Sequence, residues 1–361
     1  LKSPCGMGKT ELIGSELEQA DSFLNVSGRI SLVDKQLEDY KYIPGYKSYN
    51  QEELKRQPKI IGNKKLGITV DSVHKVVGKY QYLILDEFTY ALDQLVRNAG
   101  KKEQNVEALI ERLSVTPKVI IADAFIEDTT LSVLRKLRPD IMVYENNYPK
   151  HSDKTVSVVT EDKAIIYHKI LTDVNNRINI MIPIGSLEDG EAFLEYLQQT
   201  VTVPHKVYRG LETPTPNDSN HYKIKIYSGD DRPEGDPAQE WSLFNCIMFT
   251  SVIEAGNSFV EEHFTRTYAI LTPRSFGPQS SAQMILRSRT TKEILIYVQP
   301  GGVSKYPDYV RTPGDIRKYL ADEMRAGRMD TPDGIKMSYV EGAIDFAHPY
   351  TDMYVDVEYR E

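Results

Sequence analysis

The sequence has little cysteine, no long apolar run and no excess of basic charge, and each shortage excludes something. Of 361 residues only Cys5 and Cys246 are cysteines, far apart and in no metal-ligand spacing. Neither a zinc site nor a disulfide framework is indicated, and a reducing, intracellular compartment is the simplest inference. The longest apolar stretches, such as INIMIPIG, are too short to span a bilayer, so no membrane partner is expected. A formal net charge of −8 means that any surface tracking phosphates must be a local basic groove on an acidic body. No internal repeat of fixed period is present. What remains is ordinary for a globular protein, with 40% hydrophobic and 27% charged residues over enough chain for two domains.

Short β-rich runs alternate with helical patterns along most of the chain. FLNV, GITV, YLILD and KVIIAD stand in the first half; TVSVV, INIMIPI, KIKIYS, CIMFTS, TYAIL and EILIYV stand in the second. Most are continuous apolar runs, as expected of parallel strands covered by helices on both faces. The reading is an α/β fold with mostly parallel sheets, in two tandem domains. The polar break ENNYPKHSDKT separates residues 1–148 from 149–302, and QPGGVSKYPDY opens a C-terminal extension, 303–361, that could begin another domain.

SPCGMGKT, residues 3–10, reads as a phosphate-binding loop. Such a loop needs glycines for close backbone approach, a helix N-terminus for the anion, a Lys for the β/γ-phosphates and a hydroxyl for Mg²⁺. Gly6, Gly8, Lys9 and Thr10 supply these, with Ser3 in place of the usual first Gly. In YLILDEFT an apolar strand delivers Asp86 and Glu87 to a strand's C-terminal edge, where α/β ligand sites lie. Asp86 suits Mg²⁺ and Glu87 suits polarising an attacking water, the alternative being acids that favour a helix N-terminus. KVIIAD would bring Asp123 to the same edge. Together these point to ATP and Mg²⁺.

In order, SPCGMGKT, FLNVSGRISL, ITVDSVHK, LILDEFT, IIADAF, IPIGSLEDGEAF, FTSVIEAGNSF and SAQMILRSR resemble motifs I, Ia, Ib, II, III, IV, V and VI of superfamily 2 helicases. The loop form S-P-x-G-x-G-K-T, the pair Asp123-Ala124 and the run HFTRTYAILTPRSFGPQSSAQMILRSR look most like the replication origin-binding helicases of herpesviruses and related viral proteins. The resemblance implies two RecA-like domains and a nucleic-acid-stimulated ATP hydrolase. It assigns Gln283, Arg287 and Arg289 to the γ-phosphate, and Gly256 to the nucleotide side. It gives Ser27, Arg29, Ser72, His74, Thr250 and Ser251 to a nucleic-acid strand, where a helix-capping Ser72 and a surface His74 are the competing readings. Single-stranded DNA is the favoured track, RNA is left open, and replication proteins are possible partners. A binding or scaffold module with a weak ATPase is the alternative, motivated by two departures. Leu286 replaces a motif VI glycine with the last Arg one position early, and Asn257-Ser258 follows Gly256 where Gly-x-Asp is usual. Only Leu1 and Lys2 precede the loop, too few for the strand that normally carries it, so a longer chain and an upstream base-recognising segment are expected.

Overall fold

The computed structural model describes residues 1–4, 6–97, 102–149, 151–228, 238–250, 259–272, 277–299, 306–326, 339–340, 343–344 and 349–360. The chain divides into two compact units, Leu1–Tyr148 with Ser304–Glu361, and Pro149–Val303.

The first unit runs α1 (Lys9–Glu18), β1 (Phe23–Ser27), α2 (Ile30–Asp39), β2 (Tyr46–Ser48), α3 (Glu52–Lys55), β3 (Ile60–Ile61), β4 (Lys65–Thr69), a 3-10 turn (Val70–Lys75), β5 (Val76–Val77), β6 (Tyr82–Asp86), α4 (Phe88–Arg97), α5 (Lys102–Val115), β7 (Lys118–Ala122) and α6 (Asp128–Leu137). Five strands form a parallel sheet in the order β2-β4-β1-β6-β7. The apolar run YLILD explains why β6 sits inside it. Leu83 and Leu85 enter a core with Leu92, Leu109 and Leu134, whereas Tyr82 and Ile84 enter a second with Ile13, Leu17 and Tyr40. Period-two alternation thus feeds two apolar layers, one on each face, and an amphipathic strand could serve only one.

The strand position before the phosphate loop is occupied by Leu1–Ser3. The Lys2 amide donates to Tyr144 O and its carbonyl accepts from Asn146 N, while Ser3 N donates to Asp123 O and Leu1 O accepts from Asp123 N. These parallel bridges set the segment between the end of β7 and residues 144–146.

The second unit contains β8 (Thr155–Val159), α7 (Lys163–Asn175), β9 (Ile180–Pro183), α8 (Leu187–Thr200), β10 (His205–Tyr208), β11 (Tyr222–Tyr227), α9 (Ala238–Trp241), β12 (Cys246–Phe249), β13 (Arg266–Leu271), α10 (Pro278–Ile285) and β14 (Glu293–Val298). Its seven strands are parallel, in the order β10-β11-β12-β9-β13-β14-β8. Here too the faces divide, with Ile180 and Ile182 in one core and Met181, Ile247 and Phe249 in an aromatic one with Trp241 and Phe264. Both sheets are mostly parallel α/β, as the strand pattern predicts.

The tail supplies α11 (Pro313–Arg325), the short pair β15 (Tyr339–Val340) and β16 (Ala343–Ile344), and α12 (Pro349–Arg360). It clusters with the first unit. Met353, Val355 and Val357 of α12 are buried in the same core as Leu92 and Leu134. Its polar side is tied down as well: Asp352 pairs with Lys136 at 2.5 Å and with Arg317. Thr130 Oγ1 donates to Asp356 at 2.9 Å, and Arg360 pairs with Asp93 of α4 at 2.7 Å and with Asp356 at 3.2 Å. Among the described residues no helix is long and apolar enough to cross a membrane.

Candidate nucleotide and nucleic-acid site

The phosphate loop turns on glycines that the backbone demands. Gly6 and Gly8 have φ of 73° and 78°, in the left-handed region that a side chain disfavours. Gly8 is the N-cap of α1 and supplies no side-chain acceptor, so the first turn presents its amides to whatever anion arrives. Lys9 Nζ donates to the carbonyls of Ser3 (2.8 Å) and Pro4 (3.2 Å), folding the ammonium over the loop. Thr10 follows in the first turn, its carbonyl accepting from Tyr40 OH at 3.3 Å. Cys5 lies outside the described residues.

Asp86 ends β6 and is buried. Its Oδ2 accepts from Gln36 Nε2 at 3.0 Å and its Oδ1 from the Glu87 amide at 3.1 Å. Burial pushes the carboxyl above its usual range; the Lys9 charge and the Gln36 hydrogen bond pull it down, and Asp123 pushes it up again. Glu87 stands at φ 53°, a left-handed conformation rare for a residue with a side chain, and its amide donates to Ala122 O at 2.9 Å. Strain of this kind, on the order of 1–2 kcal/mol, persists only where the surroundings fix it.

Asp123 is 1% exposed, a buried side chain and not a solvated loop residue. Its two oxygens accept the amides of Thr89 and Phe125, each at 2.7 Å. The end of β7 is thereby locked to the start of α4. Loop, Asp86, Glu87 and Asp123 do share one sheet edge.

The residues given to a nucleic-acid strand fare unevenly. Ser27 is fully buried and its hydroxyl donates to Gln36 Oε1 at 3.0 Å, a correction to its expected surface role. Arg29, the N-cap of α2, lies with its guanidinium 4.2 Å from the centroid of the Tyr90 ring. Only glycine fits beside that pair, because a Cβ on Gly28 would sit 2.4 Å from the Tyr90 ring. Ser72 lies within the 3-10 turn and does not cap it, since Thr69 holds that place. His74 is neither a strand contact by its Nδ1 nor a free surface group: Nδ1 donates to Asn105 Oδ1 at 2.6 Å, Asn105 also accepts from the His74 amide, and Nε2 is buried. Thr250, half-buried after β12, donates its amide to Tyr227 O at 3.3 Å. Ser251 and Gly256 lie outside the described residues.

The segment SAQMILRSR is only half helical. Gln283, buried, belongs to α10, which ends at Ile285. Residues 287–289 then pair with Phe259: its amide donates to Arg287 O and it accepts from Arg289 N, both at 2.9 Å. Arg287 is 6% exposed and Arg289 half-buried. The His-Phe pair is structural, His263 sharing a hydrogen bond with Phe244 O at 2.7 Å while Phe264 fills the aromatic core. A cavity of about 410 Å³ opens at the opposite, N-terminal edge of this sheet, but its Arg266 is committed to Asp173 and Glu293.

Sequence reasoning missed Gln36, which bonds both Asp86 and Ser27, and Asn25 and Tyr46, which are linked to it. The only signal for Asn25 was an amide inside the otherwise apolar FLNVS.

The fold and family agree with this geometry. The chain is similar to S. cerevisiae Dbp5 bound to RNA and ADP BeF3, with TM-score 0.53 and 11% identity over 98% of this chain and 88% of that one. It is similar also to the DUF1998 helicase MrfA bound to DNA and AMPPNP, with TM-score 0.52 and 13% identity over 92% and 48%. In sequence it is 24% identical over 317 residues to the replication origin-binding protein of human herpesvirus 7 (strain JI), covering 83% of this chain and 37% of that relative. The family described as origin of replication binding protein matches residues 2–203 and 228–313. The chain therefore belongs to the origin of replication binding protein family.

Proposed function

We propose that this chain is an ATP-driven helicase or translocase acting on nucleic acid as viral-type replication begins, with single-stranded DNA its favoured track. The observation that carries the proposal is a left-handed glycine turn at Gly6 and Gly8 with the Lys9 ammonium folded over its carbonyls, at the sheet edge where β6 ends in the buried Asp86. A cation over a glycine loop and a carboxylate behind it are the two charges that phosphate and Mg²⁺ require.

The donor set fits Mg²⁺: Thr10 and Asp86 would hold it, and bound there it neutralises charge that builds on the phosphoryl oxygens. The chain's own residues do the rest. The amides of Gly6 to Lys9 receive phosphate oxygens, and Lys9 exchanges the carbonyls of Ser3 and Pro4 for the β/γ-phosphates. Glu87 orients the attacking water. By the resemblance, Arg287 and Arg289 would stabilise charge on the transferring phosphoryl group, a task suited to the planar guanidinium, and Gln283 would donate a hydrogen bond to it. Arg29, backed by Tyr90, is the side chain best placed to meet a phosphate strand.

The second reading, a binding module with a weak ATPase, is favoured by the burial of Arg287. Strand displacement from forked duplexes separates the two. ATP-dependent release of a labelled DNA strand supports the motor, release of RNA alone changes its track, and tight binding without release leaves the binding module.

A further inference from the structure

β1 carries two polar side chains, Asn25 and Ser27, into a fully buried position. Both converge on Gln36 of α2, itself 1% exposed. Asn25 Nδ2 and Ser27 Oγ each donate to Gln36 Oε1 at 3.0 Å. With two donors on its oxygen, the amide has one orientation, and Nε2 must be the group that faces Asp86 Oδ2 at 3.0 Å. Asn25 adds a bond to Tyr46 OH at 3.1 Å, which anchors the cluster to β2. Ser27 leads directly into Gly28 and Arg29, where the guanidinium stacks on Tyr90 of α4. One strand end therefore touches the Asp86 carboxylate through Gln36 and the helix after Glu87 through Tyr90.

Resting on the nucleotide-site reading above, we propose that Gln36 is the positioning residue of Asp86, holding Oδ2 while the Glu87 amide holds Oδ1, so that the carboxylate keeps one orientation toward a divalent cation and is tied to the Ser27–Arg29 turn. A polar plug that merely fills a core would need partners, but no particular orientation toward a candidate metal ligand. Outer-sphere partners of metal ligands typically set affinity by 10–100-fold, which gives the expected size.

The test is Mn²⁺ affinity, read by electron paramagnetic resonance on the full chain with a non-hydrolysable ATP analogue. Gln36→Met keeps the side-chain length without the amide, and Gln36→Asn keeps the amide but is one methylene too short. Thermal unfolding confirms that each variant is folded, and fluorescent-nucleotide binding in EDTA gives a metal-independent readout. The expected result is Mn²⁺ affinity at least tenfold weaker in whichever variants fold, with metal-free nucleotide affinity within twofold of the parent. Mn²⁺ affinity within twofold of the parent in a folded variant overturns the inference and leaves the nucleotide site standing. No nucleotide-dependent Mn²⁺ binding by the parent chain overturns both.

Discussion

Asp123 Oδ2 accepts the backbone amide of Thr89 at 2.7 Å, so the end of β7 caps the start of α4. Glu87 N bonds to Ala122 O as well, so two bonds join the two strand ends behind the loop, while the Phe125 amide on the same carboxylate closes the turn after β7. Asp123→Ala removes the side-chain acceptor of two amides, the buried one of Thr89 and the part-buried one of Phe125. We expect a loss of about 1–3 kcal/mol in denaturant unfolding of the first unit. If the joint also fixes Glu87, kcat for ATP hydrolysis falls more than KM rises, and Asp123→Asn recovers part of both. An Asp123→Ala chain with parental stability and kcat would contradict this.

Arg29 and His74 are separable. The guanidinium on Tyr90 is half-exposed at the turn, whereas the imidazole is engaged by Asn105. Arg29→Ala should weaken single-stranded DNA binding about fivefold, on the order of 1 kcal/mol, with nucleotide affinity unchanged. His74→Ala should cost stability of about 1 kcal/mol and shift DNA affinity less than twofold. Fluorescence anisotropy at fixed salt measures both, and a larger effect at His74 than at Arg29 would reverse the assignment.

The tail helix α12 is part of the first unit's core. Met353 is fully buried between helices that follow Asp86 and Asp123, so Met353→Ala should destabilise by about 2–5 kcal/mol. Hydrogen exchange should report it locally, with protection lost across α4 and α6 and retained in β9, β12 and β13. Uniform loss in both units, or none in α4, would show that α12 does not hold that helix.

Much of this was legible in the sequence because two-sided burial writes a continuous apolar run. YLILD and CIMF announce central parallel strands, and the polar residues just beyond them, Glu87 and Thr250, announce the edge where chemistry sits. Gly8 and Lys9 were readable because a left-handed turn and a phosphate constrain residue type. The unreadable part lies in long-range pairing. Nothing local distinguishes Gln36 from a solvent-facing glutamine in KQLEDY, and its role appears only when β1, α2 and β6 meet. Ser27 looks like a surface hydroxyl in a turn motif until the pleat of β1 points it inward. His74 misled for the same reason, since its partner Asn105 is 31 residues away. The tail is a further case. Its alternation of Asp and Tyr with apolar residues in TDMYVDVEYR hides a helix whose buried Asp352 is paired by Lys136 and Arg317, and whose Asp356 is paired by Thr130 and Arg360.

The central claim is that the site at Lys9 and Asp86 turns over ATP in response to nucleic acid, and steady-state hydrolysis with and without single-stranded DNA or RNA tests it most directly. Lys9→Ala is the control, and because Lys9 also faces the buried Asp86 carboxylate, thermal unfolding first checks that the variant is folded. The expected result is stimulation by single-stranded DNA, with a fall of at least two orders of magnitude in Lys9→Ala, on the order of 3 kcal/mol in the barrier. Binding of the polymer without stimulated turnover, or turnover that survives Lys9→Ala, would contradict the motor.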